Sequence, residues 1–153
     1  MPKSRERTDE GREPGEAKAE GLTPAELDDR VRLALHAAGE KKAHDLVVLD
    51  LREVASFTDF FVIASGTNVR QVQAIADAVR EQLHKQLSVK PARVEGYNSA
   101  EWVLLDYGDF IFHVFEEKSR RFYDLERLWR DAARVPLPPE SAGEGPGSSR
   151  DGR

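Results

Sequence analysis

The sequence predicts an α/β fold, with a mixed β-sheet of about five strands and helices packed on it. Three observations carry this expectation. Two long stretches repeat apolar residues at the helical period, and short runs rich in β-branched and aromatic residues stand between and after them. Residues 101–115, EWVLLDYGDFIFHVF, alternate about a glycine-bearing turn as a hairpin does.

The first helix is expected over 24–38. Thr23 suits the N-cap, Pro24 the first helical position, and Glu26 completes a capping box. Leu22 and Leu27 have the spacing of a hydrophobic staple; Val31, Leu35 and Ala38 continue the stripe, and Gly39 is the expected stop. The runs HDLVVLDL (44–51) and TDFFVIASG (58–66) are too short for helices and read as buried strands. In the stretch 67–87 Asn68 can cap, Gln71 lies three residues on, and Val72, Ile75, Ala76, Val79 and Leu83 form one stripe. Pro91 separates this second helix from a short extended piece, ARVEGY, and then comes the hairpin. Beyond it, Phe122, Leu125, Leu128, Trp129 and Ala132 or Ala133 are spaced as a helical stripe with a break near Tyr123, and Pro136 closes the folded region.

The hairpin has two unlike faces. Whether its turn is Tyr107-Gly108 or Gly108-Asp109, Val103, Leu105, Tyr107, Phe110, Phe112 and Val114 share one face. Trp102, Leu104, Asp106, Ile111, His113 and Phe115 share the other. The first set is the natural floor for two amphipathic helices. The second mixes bulk with a carboxylate and an imidazole, as interface cores do. Two readings of it stand side by side: a docking surface, or a surface capped by the terminal helix that holds Phe122 and Trp129.

Composition narrows the function classes. Residues 1–21 hold no aromatic and, the initiator Met apart, no aliphatic larger than Ala, and residues 136–153 are rich in Pro, Gly and Ser. Neither segment can bury enough apolar surface to offset ordering, so disorder is expected at both ends and one folded domain over 22–135. The formal charge is −5; each end contributes −1, which leaves −3 on the core. A mildly acidic core suits a basic protein better than a phosphate backbone, so little or no direct nucleic-acid binding is expected. There is no cysteine, hence no disulfide, thiol catalysis or thiolate metal site. No apolar run approaches the roughly 18 residues of a membrane span and the charged start is unlike a signal peptide, so the simplest address is cytoplasmic.

Catalytic patterns are poorly represented. Ser65-Gly66, between a strand and a helix, could hold a phosphate, yet no glycine-rich nucleotide motif surrounds it, and a plain strand-end turn is the simpler reading. Asp45, Asp50, Asp59, Asp106 and Asp109 lie near strand ends, but no strand carries the paired carboxylates of two-metal chemistry; Asp45 and Asp50 face opposite ways. The four histidines are scattered. His113, beside Trp102 and Leu104 across the hairpin, points to packing or hydrogen bonding rather than to metal ligation.

Three stretches taken together, DLREVASFTDFFVIASGTNVRQVQAIADAV, GYNSAEWVLLDYGDFIFHVF and RFYDLERLW, resemble the ribosomal silencing factor family, RsfS, also called Iojap or YbeB. The resemblance spans about residues 24–133. It implies a fold related to nucleotidyltransferases without their catalytic residues, no enzyme activity and no cofactor. It further implies binding to the large ribosomal subunit through ribosomal protein L-fourteen, obstruction of small-subunit joining and lowered translation when nutrients are short. Mitochondrial relatives are linked to large-subunit assembly. A homodimer stays open, and no membrane is involved. The family's signature falls here on Trp102, Leu104, Asp106, Tyr107, Gly108, Asp109 and His113, then on Arg121, Tyr123, Asp124, Leu125, Glu126 and Trp129. The resemblance places the partner-binding patch on Trp102, Leu104, Asp106 and His113, with Tyr123 and Glu126 as further members, and leaves Tyr107 and Gly108 to turn and core. The competing reading is an active nucleotidyltransferase or nucleotide-binding protein using Ser65-Gly66.

Overall fold

A computed structural model describes residues 22–137; the segments 1–21 and 138–153, expected to be disordered, lie outside the described residues. The elements are α1 (Asp29–Glu40), β1 (His44–Asp50), β2 (Phe60–Gly66), α2 (Val69–Leu87), β3 (Arg93–Glu95), β4 (Trp102–Asp106), β5 (Phe110–Glu116), α3 (Glu117–Tyr123), α4 (Leu125–Leu128) and β6 (Ala133–Arg134). The six strands form one sheet in the order β3-β4-β5-β2-β1-β6. The central pair β2–β5 is parallel and every other pair antiparallel, so the expected mixed sheet is present with one strand more than expected.

Local chemistry accounts for the element ends. The Thr23 N–H donates to the Glu26 carboxylate at 3.1 Å, but this box closes only a 3-10 turn over Pro24–Glu26. The helix proper starts after Asp28, whose side chain accepts from Arg30 N–H at 2.7 Å. Nor does Gly39 stop it: α1 runs through to Glu40, and Lys42 takes the left-handed conformation at φ 64°. The loose backbone end is secured from outside, because Gln71 Nε2 donates to the carbonyls of Lys41 and Lys42 at 3.0 Å each. In α2, Asn68 Oδ1 accepts from Gln71 N–H at 2.9 Å, as its cap position predicts, and Ser88 ends the helix in the left-handed region.

The hairpin adopts the Gly108-Asp109 turn. Tyr107 N–H donates to Phe110 O at 2.9 Å, Gly108 has φ 89°, and Leu104 pairs with His113 and Trp102 with Phe115 across the strands. Both faces follow the parity read from the sequence. Val103, Leu105, Phe110, Phe112 and Val114 pack beneath Val31, Leu35, Ile75, Val79 and Leu83 of α1 and α2. Ile111 and Phe115 join Leu49, Leu51, Phe61, Ile63 and Leu125 on the opposite side, with Trp102, Leu104 and Trp129 packed against them. Arg30 ties the first helix to the turn: its guanidinium lies 2.9 Å from both Asp28 and Asp109 and 5.5 Å from the centre of the Phe110 ring. Packing also reaches past the expected boundary at 135, since Leu137 rests against the core.

The terminal region departs most from expectation. Its helical stripe is broken by Asp124 in the left-handed conformation, φ 50°, which ends α3 and starts α4. The break resets the helical phase. Leu125 turns inward and is buried, whereas Phe122 and Leu128 point outward at 79% and 73% exposure. The following two-residue strand β6 was not expected; it pairs with Leu49 and Asp50 at the edge of β1.

Candidate functional site

The two sheet faces are covered by helices of very different length. The 19 residues of α2 reach about 28 Å, but the seven of α3 reach only about 10 Å and the four of α4 about 6 Å. The face beneath α1 and α2 is sealed, since Val103, Leu105, Phe110, Phe112 and Val114 have no solvent exposure. The other is only partly roofed.

On that second face the rings form a continuous row. Phe57 lies 5.9 Å from Trp129, Trp129 5.7 Å from Phe61, and Phe61 4.5 Å from His113. His113 lies 5.9 Å from Trp102, Trp102 4.8 Å from Tyr123, and Tyr123 5.0 Å from Phe122. Offset and edge-on geometries of this kind add to simple burial. The row is buried at its centre and emerges at both ends, at Phe57 on one side and at Tyr123 and Phe122 on the other. Beside the second end a notch of about 460 Å³ is lined by Phe122, Tyr123, Leu128 and the arginines 121, 127 and 130.

The residues singled out from sequence separate into three settings. Trp102 and Leu104 are half-buried on the partly roofed face, and Tyr123, 48% exposed, leans on the indole. The end of α3 thus touches Trp102 without sealing it, so the terminal region caps this face only in part. His113 is 2% exposed and lies below the surface; its Nδ1 accepts a hydrogen bond from Trp102 Nε1–H at 3.0 Å. Burial pushes the His113 imidazole down to about 3, so the ring is neutral at physiological pH. Asp106 and Glu126 are engaged within the chain. Asp106 accepts from Gly108 N–H at 2.8 Å, which caps the hairpin turn, and pairs with Arg93 at 3.2 Å. Glu126 pairs with Arg120 at 3.1 Å and with Arg134 at 3.0 Å.

Two further positions hold this surface in place. Gly96, at φ 79°, passes so close to β4 that a Cβ there would sit 2.0 Å from the Trp102 carbonyl oxygen, so no larger residue fits without moving the strand. Arg120 is the second. Its Nη1 donates to Ser65 Oγ at 2.8 Å and to the Asp45 carbonyl at 2.7 Å, while Nε and Nη2 reach Glu126. The guanidinium pins α3 to the ends of β1 and β2.

The same clamp bears on the Ser65-Gly66 turn. Ser65 is buried with its hydroxyl taken by Arg120, and a Cβ on Gly66 would meet Val72 at 3.0 Å. The Ser65 hydroxyl is thus engaged within the chain, at the wall of a cavity of about 670 Å³ that Arg120, Arg121 and Arg134 also line. Among the described residues no group of three or more His, Asp or Glu side chains is placed to hold a metal ion. Sequence reasoning missed Phe57, Phe122 and Leu128 as surface residues, and it missed Arg120 altogether. The last two of the three apolar residues were assigned inward by a periodicity that Asp124 interrupts.

Fold and surface together are those of a mixed-sheet α/β protein with an aromatic platform open at both ends. A family model described as "Ribosomal silencing factor during starvation" matches residues 24–151. The ribosomal silencing factor RsfS of Halalkalibacterium halodurans is 41% identical over 107 residues, 70% of this chain and 91% of the relative. That of Bacillus subtilis is 37% identical, over 67% of this chain and 86% of the relative. A crystal structure from Chromobacterium violaceum superposes with a TM-score of 0.65 at 32% identity, over 82% of this chain and 97% of that one. The mouse protein named for mitochondrial assembly of the ribosomal large subunit is 30% identical over 59% of this chain and 40% of its own length. The chain belongs to the RsfS family of ribosomal silencing factors. That family is named for silencing ribosomes, not for a reaction.

Proposed function

We propose that this chain binds the large ribosomal subunit through ribosomal protein L-fourteen and keeps the small subunit from joining, so lowering translation when nutrients are short. The observation that supports this most directly is the half-buried Trp102, flanked by Leu104 and by exposed Tyr123, Phe122 and Leu128, on the sheet face that α1 and α2 do not cover. Aromatic anchors of this kind, partly buried in the free protein and completed by a partner, are the usual centres of binding energy. The contact patch in this reading is Trp102, Leu104 and Tyr123 with Phe122 and Leu128 added. His113 and Asp106 shape it from within, and Glu126 holds the α3–α4 corner.

The mechanism is occupancy. A folded domain seated on the joining surface of one subunit takes up volume that the other requires, and no bond is made or broken. Inhibition therefore scales with the fraction of large subunits carrying the protein. The test is co-sedimentation of the purified chain with separated ribosomal subunits. Wild type should travel with the large subunit, and Trp102→Ala should lose at least about 2 kcal/mol of binding, a drop of roughly thirtyfold. A Trp102→Ala protein that remains folded and still sediments with large subunits removes this face from the proposal.

A further inference from the structure

The His113–Trp102 pair carries an inference that rests on the docking role of the Trp102 face but asks a separate question of it. An indole can only donate, so the Nδ1 that accepts from Trp102 Nε1–H is unprotonated and the neutral imidazole carries its proton on Nε2. That Nε2 is buried and has no hydrogen-bond partner among the described residues. Leaving a buried donor unpaired costs about 1–3 kcal/mol. The surroundings do not call for a polar group, since Phe61 and Phe115 are the ring neighbours and Ile111 lies on the same face of the strand. A phenylalanine or leucine would fill the space without that cost.

What the imidazole supplies in return is one acceptor aimed at one surface indole. The other ring neighbours of Trp102, Phe115 at 4.8 Å and Tyr123 at 4.8 Å, press on it without directional bonds. Among the described residues the bond to His113 is the indole's only hydrogen bond. It therefore selects which way the exposed edge of Trp102 points. We propose that His113 is a positioning residue for partner docking: from beneath the surface its Nδ1 locks the Trp102 indole in the orientation that a partner meets. Ordering the anchor in the free protein spares the complex part of the cost of immobilising it.

The pair can be tested in the full-length chain, whose two tryptophans give two indole N–H signals, assigned with Trp129→Phe. In the wild type, imidazole nitrogen shifts should report the Nε2–H tautomer for His113, and the Trp102 indole proton should exchange slowly with solvent. His113→Phe keeps the ring and removes the acceptor; His113→Asn places an amide oxygen near the position of Nδ1. Without any partner present, His113→Phe should speed Trp102 indole exchange at least about tenfold and should weaken binding to purified large subunits about tenfold. His113→Asn should restore both. An Nδ1–H tautomer in the wild type overturns the inference even if His113→Phe fails to fold. So does a His113→Phe protein whose indole stays protected, or one that binds like wild type while Trp102→Ala does not. Unchanged binding by Trp102→Ala overturns the docking face itself, and the positioning role with it. That failure is told apart because it appears in the tryptophan variant first.

Discussion

The two faces of the sheet use the same strands to opposite ends. On one, Phe110, Phe112 and Val114 of β5 lie under two long helices and have no solvent contact. On the other, Ile111, His113 and Phe115 of the same strand are roofed by α3 and α4, which together are shorter than α1. The first face carries the larger of the two buried clusters. The second leaves part of its aromatic row exposed to solvent. A strand's strict alternation allows both in one chain, because changes to one face leave the other set of side chains in place.

The contrast can be broken at its strong end first. Phe112→Ala opens a cavity in the centre of the sealed face and should cost about 3–5 kcal/mol in urea denaturation. A loss below 1 kcal/mol would mean that this side is not the core. Next comes the clamp beneath the partly roofed face. Arg120→Ala leaves Ser65 Oγ and the Asp45 carbonyl without their donor, although Glu126 keeps Arg134, so a loss of about 2–3 kcal/mol is expected. Amide exchange should rise in α3 and α4 and not in α1 or α2, and uniform exchange would contradict a clamp local to one face.

Acid should act through the partly roofed face. The folded His113 has its affinity for protons depressed to about 3 by burial, whereas in the unfolded chain it titrates near its ordinary value of about 6.5. Between those limits the unfolded state binds the extra proton. The contribution is thus intact above pH 6.5 and is lost as pH falls toward 3. Going from pH 7 to pH 5, wild type should lose about 2 kcal/mol more than His113→Asn, and parallel stability curves would refute the buried neutral imidazole. The smallest effect on stability belongs to the rim. Phe122→Ser and Leu128→Ser should change stability by less than about 0.5 kcal/mol while weakening binding to large subunits. A large loss of stability would mean that these side chains support the fold.

Much of this plan was legible in the sequence where a signal is local. The Asn68 cap, the stripe from Val72 to Leu83 and the alternation on either side of Gly108 each involve neighbours in the chain, and each is found as expected. What escaped depends on distance or on a single odd residue. Arg120 meets Ser65 across 55 positions, which no periodicity encodes. β6 is two residues long and exists by pairing with β1, not by its own propensity. Asp124 in a left-handed conformation inverts the meaning of the apolar spacing around it, sending Phe122 and Leu128 outward. His113 could be placed on its face by parity, but its depth came only with the rings packed over it.

The parallel pairing of β2 with β5 at the middle of the sheet has a consequence for the row of rings. The row's central rings, Phe61 and His113, stand on those two strands, whose opposite sides anchor the hydrophobic interior. Moving either central ring would disturb the strand pair on which the interior is built. Only the rim of the row, at Phe57, Tyr123 and Phe122, stands open to solvent.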